Sequence, residues 1–325
     1  MHIPDGLMDP LVAAAGWIEF LVVLGTAIFL CRSKIRERNL PRVAILSAGI
    51  FVAQMLNFPI GGGTTGHLIG AALFAVMVGP ALAVIGMTVV LLIQALMFGD
   101  GGVSALGLNA LNMAIVAPLV GWGVYTLTDP IVNGQRGIGR GISVALAAWA
   151  SVFVAAGACA GELLVSYAIS GGDYGIAANV SVPAMLGYHA VIGIGEAAIT
   201  VGLVSYLFTI SPELFSAGEP GMAFKGPAKW LTSNTARATA VILIVFALMI
   251  PLYIIYASEG RDGLEQTMGE AGNGQGSPLL SAPFSYGETY LQVLLAGIVG
   301  FLVVCLAALT ILRLLKSPTR RNDPG

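Results

Sequence analysis

Apolar residues run along this chain in long, nearly unbroken blocks, interrupted at proline, glycine and clusters of charge. The pattern predicts helices over about 11–31, 42–58, 66–78, 80–98, 103–127, 141–169, 184–209, 237–256 and 289–315. Most of these blocks match the roughly 20 apolar residues needed to cross a bilayer. The expected fold is an all-α integral membrane protein: a seven-helix bundle followed by two C-terminal transmembrane helices. Only Gly79-Pro80 separates the short third block from the fourth.

Composition supports this reading. The chain is 57% hydrophobic and 10% charged, where a soluble domain carries about 25% charged residues. The basic residues add an orientation. Arg32, Lys34, Arg36, Arg38 and Arg42 fill the first loop, and Arg136 and Arg140 precede the sixth helix. Lys225, Lys229 and Arg237 precede the eighth, and Arg313, Lys316, Arg320 and Arg321 follow the last. With the N-terminus outside and the C-terminus cytoplasmic, every one of these lies on the cytoplasmic side, and Arg261 alone lies outside. The expected location is the cytoplasmic (inner) membrane. No basic region precedes the first apolar block and no small-residue cleavage site follows it, so no cleaved signal peptide is expected.

The three histidines all fall in the first seven helices, which suggests a first domain over 1–210. Residues 211–236 read as a cytoplasmic linker and 237–325 as a two-helix accessory domain, whose outside loop is rich in Gly, Ser and acidic residues. Cys31, Cys159 and Cys305 lie in apolar blocks without a CxxC pair, and are read as small buried hydrophobes.

The candidate chemistry sits in MHIPDGLMDP at the N-terminus and PIGGGTTGHLIGAAL at 59–73. The Met1 amine, the amide nitrogen of His2 and the His2 imidazole can close on one ion through a five-membered and a six-membered ring. That set is flat, which suits Ni(II) or Cu(II) better than tetrahedral Zn(II). The His67 imidazole would complete the square. Met1 is expected to survive processing because the second residue is large. The glycine-rich run through Gly63, Thr64 and Thr65 is a poor helix, and reads either as a cavity wall for the terminal peptide or as a simple turn. It lacks the ending of a phosphate-binding loop.

Asp5 could neutralise the site or shape a turn beside Pro4 and Gly6. His189 and Glu196, seven apart on one helix face, suit either support of the site or helix packing. Gln94, Asp100, Asn109 and Asn112 surround an outside turn, where amides bond neighbouring helices or orient histidines. Glu162 is an acid within a span whose partner the sequence does not name.

MHIPDG, NFPIGGGTTGH at 57–67, and LLIQALMFGDGG with LNALNMA at 91–114 closely resemble the CbiM/NikM family. These are the substrate-binding (S) components of cobalt/nickel transporters of the energy-coupling factor type. The resemblance covers about residues 1–210. RDGLE at 261–265 is similar to the PDGLE/CbiN-type domain fused to some members, with Arg261 in place of proline. The resemblance implies that Met1, His2 and His67 bind the ion as a transported substrate. No cofactor is implied, and nickel is preferred over cobalt. It also implies a transmembrane coupling subunit and cytoplasmic ATPase subunits as partners, in the lipid bilayer and without nucleic acid. The chain has no Walker A motif and is expected to be a non-catalytic subunit. An ion-coupled secondary transporter is the competing reading, but neither an internal repeat nor an intramembrane proton relay supports it. A membrane metalloenzyme would need an HExxH-type base, which is absent from the sequence.

Overall fold

A computed structural model describes residues 1–32, 35, 40–61, 64–132, 138–210, 261–272, 277–287 and 289–316. The linker at 211–236 and the helix expected at 237–256 lie outside these residues. Helix α1 spans Pro10–Cys31 and α2 Leu40–Gln54, and a hairpin of β1 (Asn57–Gly61) and β2 (Thr64–His67) follows. Next come α3 (Ala71–Val78) and α4 (Pro80–Ile93), which continues into a π-helical turn at Gln94–Phe98. Helix α5 (Leu106–Ala110) passes through a second π segment (Leu111–Val116) into α6 (Ala117–Thr128). The long helices α7 (Ile138–Ser170) and α8 (Ala178–Ile210) complete the first bundle. The short α9 (Gly263–Glu270) and the apolar α10 (Tyr290–Leu315) follow.

Six described helical stretches are long and apolar enough to cross a membrane: 10–31, 80–98, 106–128, 138–170, 178–207 and 290–315. The protein is thus a multi-pass, helical membrane protein. Helices α7 and α8 pack along each other, α6 packs on α7, and α10 lies along α2. At the α2–α10 contact Gly300 leaves room for the ring of Phe51, which joins Phe98 and Tyr286 in an aromatic cluster.

The third helix departs from the sequence reading. It begins at Ala71, not 66, because Asn57–Gly61 and Thr64–His67 pair as an antiparallel ribbon with Asn57 opposite His67. Helix formation is blocked up to Gly70, which adopts φ +73°. Both carboxylate oxygens of Glu196 on α8 accept from Ile69 N and Gly70 N, each at 2.7 Å, and fasten the loop between β2 and α3.

A second departure is α9, in a stretch read as loop. Asp262 accepts from Glu265 N, and the Glu265 side chain accepts from Asp262 N, forming a capping box.

Bonds between Asp9 N and Ser166 Oγ and between Tyr286 and Asp100 gather one end of the molecule. That end holds the N-terminal segment, the loop after α4, the hairpin and α9. Arg32, Arg140 and Arg313 lie at the opposite ends of α1, α7 and α10.

Helices α1 and α5 approach through bare backbone. A Cβ on Gly107 would stand 2.6 Å from the Cα of Trp17. Gly107→Ala is therefore expected to destabilise the bundle by about 1–3 kcal/mol. Gly25→Ala, on open surface of α1, should be neutral or stabilise by up to about 1 kcal/mol. Thermal unfolding of both variants in detergent checks the contrast.

Candidate metal centre

The site is built by folding the N-terminal segment into the protein as a strap. Met1, Ile3, Leu7 and Met8 are buried, so the segment is anchored by apolar contact. Hydrogen bonds fasten it at Ile3, Asp5, Leu7 and Asp9. Asn109 accepts from Ile3 N at 2.8 Å and donates to Ile3 O at 3.0 Å, and Gly102 N donates to the same carbonyl at 2.8 Å. Asp5 Oδ1 accepts from the Ser104 amide and hydroxyl, and Oδ2 accepts from Leu279 N. Gly175 N donates to Leu7 O, and Asp9 caps α1 by accepting from Leu11 N.

The strap ends with its nitrogens beside the hairpin. The Met1 amine donates to His67 Nε2 at 3.4 Å and to Asp262 Oδ2 at 3.3 Å. The His2 and His67 rings lie 5.1 Å apart, tilted by 33°. His67 Nδ1 stands 3.1 Å from Leu68 O. A carbonyl only accepts, so Nδ1 carries the hydrogen and the Nε2 lone pair faces the amine. Burial, then the neighbouring ammonium, pushes the His67 imidazole well below its ordinary value. For Asp262, burial works against ionisation, but the Met1 ammonium, helped by the hydrogen bond from Glu265 N, outweighs it and holds the carboxyl below the usual carboxylate range. His2 Nδ1 lies 3.2 Å from Asp100 Oδ1, and Nε2 lies 3.3 Å from Gln94 Oε1.

Met1, His2 and His67 are thus brought together from opposite ends of a long sequence separation. The other sequence candidates divide. Asn109 holds the strap, and Asp5 ties it to the loop after α4 and to Leu279. Thr64 and Thr65 border Arg261, with Thr65 N donating to Arg261 O at 2.9 Å. Glu196 fixes the loop that follows His67. His189 Nδ1 donates within its own helix to Met185 O at 2.7 Å, and its ring packs against Gly263. Asn112 donates to Glu162 Oε2 at 2.7 Å, which supplies the partner the sequence left unnamed. Gly63 lies outside the described residues.

The profile of CbiM, the cobalt uptake substrate-specific transmembrane region, matches residues 2–214. The chain belongs to the CbiM family. It is 34% identical to the putative fused nickel transport protein NikMN of Archaeoglobus fulgidus, over 94% of this chain and 95% of that one. It is 31% identical to the cobalt transport protein CbiM of Geobacter sulfurreducens, over 92% and 86%. The crystal structure of a transition metal transporter superposes with TM-score 0.58 at 38% identity, covering 67% of this chain and 96% of that one.

Within this CbiM-family fold, sequence reasoning missed Asp262 as a partner of the terminal amine. It also named Gln94 and Asp100 without attaching them to His2. The acidic residue of RDGLE was visible, but its contact spans 261 residues, and no local spacing reports it.

The strap also needs a bare Gly102, since a Cβ there would overlap Asp5 N and the carbonyl carbon of Pro4. Gly102→Ala is expected to lift the strap and expose the terminus. Labelling of the α-amine by a water-soluble acylating reagent should rise by at least about tenfold, since a displaced bond of this kind costs about 1–3 kcal/mol. Wild-type protein should be protected.

Proposed function

We propose that the chain is the substrate-binding component of an energy-coupling-factor importer. It takes Ni(II) or Co(II) at its N-terminus and passes it across the cytoplasmic membrane. Two partners complete the machine: a transmembrane coupling subunit and cytoplasmic ATPases. The chain itself is not an enzyme and uses the ion as cargo. In this reading residues 1–210 form the metal-binding domain, 211–236 the cytoplasmic linker, and 237–325 the accessory domain, with the N-terminus outside.

One observation carries the reading: three nitrogen-bearing groups, the Met1 amine, the His2 imidazole and the His67 imidazole, meet in one buried place. Among the described residues no group of three or more His, Cys, Asp or Glu side chains could hold an ion. In this reading the terminal amine and the His2 amide supply main-chain nitrogen beside the two imidazoles. Metal–nitrogen bonds of about 2 Å set adjacent donors about 2.9 Å apart. The 3.4 Å between the amine and His67 Nε2 closes to that with a shift of a few tenths of an ångström. A planar nitrogen set favours Ni(II), and the relatives bear nickel and cobalt names alike. The basic ends of α1, α7 and α10 would face the cytoplasm, and the site would face incoming ions.

The test uses purified protein with its native terminus, titrated with Ni(II) and followed by metal content and d–d absorption. About one tightly held ion with a diamagnetic, square-planar spectrum is expected. A single glycine before Met1, or His67→Ala, should weaken binding by more than about 100-fold, beyond the range of changes around the ligands. Unchanged isotherms in both variants would refute the site.

A further inference from the structure

His2 has two ring nitrogens with opposite demands on them. A chelate through the amine and the His2 amide can close only on Nδ1, because Nε2 is turned away from the main chain. Yet Asp100 Oδ1 stands 3.2 Å from Nδ1, and in a neutral imidazole it favours the tautomer with hydrogen on that nitrogen. That tautomer would put the lone pair on Nε2, where the ion cannot be chelated.

A chain of amides opposes it, and its direction is fixed from one end. Gln54 Nε2 lies 2.7 Å from Ile69 O. A carbonyl has no hydrogen to give, so Gln54 must present its NH2 there and its Oε1 on the other side. Gln94 Nε2 lies 2.7 Å from that Oε1, so Gln94 in turn must point its own Oε1 at His2 Nε2, 3.3 Å away. An acceptor facing Nε2 favours the hydrogen on Nε2 and competes with Asp100 for the tautomer of the neutral ring. Both glutamines are fully enclosed, Gln94 at 0% and Gln54 at 3% exposure, so neither can turn to water instead. The same Ile69 whose carbonyl starts the relay is held through its N–H by Glu196.

We propose that Gln94, oriented by Gln54, is a positioning residue that keeps the hydrogen of His2 on Nε2 and so dedicates Nδ1 to the transported ion. The proposal rests on the reading of Met1, His2 and His67 as the cargo site. It assigns a purpose to a buried relay that reaches from α2 through α4 to the strap, and it ties the two imidazoles to one loop. Gln54 grips residue 69 just after His67, and Gln94 grips His2.

The experiment has a metal-free arm and a metal-bound arm. The ring nitrogens of His2 are followed by ¹⁵N solid-state NMR in metal-free protein carrying ¹⁵N-histidine. Wild-type neutral imidazole should show hydrogen on Nε2. In Gln94→Leu the hydrogen should move to Nδ1, facing Asp100. Gln94→Glu retains an acceptor for His2 Nε2 and, as the neutral acid, a hydroxyl to donate to Gln54 Oε1, and in that form should retain the wild-type pattern. Gln54→Leu frees Gln94 to turn and should give a mixture of tautomers. In parallel, Ni(II) affinity should fall about 10–100-fold in Gln94→Leu and be restored toward wild type in Gln94→Glu. A His2 tautomer that is unchanged in both leucine variants would overturn the proposal whatever the affinities. The predicted tautomer shift without any Ni(II) binding by wild-type protein would instead overturn the cargo-site reading, and the assignment of Nδ1 to the ion with it. Gln94→Leu retaining wild-type unfolding temperature while showing both effects would support it.

Discussion

The structure depends on the burial of a free chain end. A charged amine is costly to take out of water, and the Met1 amine is nonetheless enclosed between His67 and the carboxylate of Asp262. Everything nearby serves to make that burial tolerable. Asn109 and Gly102 satisfy the backbone of Ile3, Asp5 locks the strap to the loop after α4, and Glu196 fastens the loop behind His67. The long helices supply walls. Side chains on the helices, Asn109, Ser166 and Glu196, meet backbone groups of the irregular pieces between them.

Described residues between Arg261 and Gly287 take part in this enclosure. Arg261 adds a bridge to the edge of the hairpin, Asp262 meets the amine, and Gly263 packs on His189. Leu279, Phe284 and Tyr286 then fasten the following segment to Asp5, Met97 and Asp100. The sequence reading gave this region no site residue, and the contacts give it a carboxylate at the terminal nitrogen.

The helical architecture was legible because apolar blocks of about 20 residues leave few alternatives. The short third block was misread at its start: Gly70 and the paired ribbon override an apolar run that alone looks helical. Helix α9 carried a readable cap in Asp262 and Glu265, hidden by the glycine-rich setting around it. Met1, His2 and His67 could be proposed together because chelate-ring size is a property of covalent geometry and needs no fold. Gln54, Gln94, Asp100 and Asp262 could not be attached to them. Their roles depend on which atom faces which, across separations that no periodicity encodes.

The enclosure of Met1, with 2% of its surface exposed, also bears on how the molecule matures. Any enzyme that trims the first residue or removes an acyl group from it needs an extended, accessible end. Such an enzyme could reach the amine only while the strap is undocked. Docking of the strap and modification of its first nitrogen thus exclude one another.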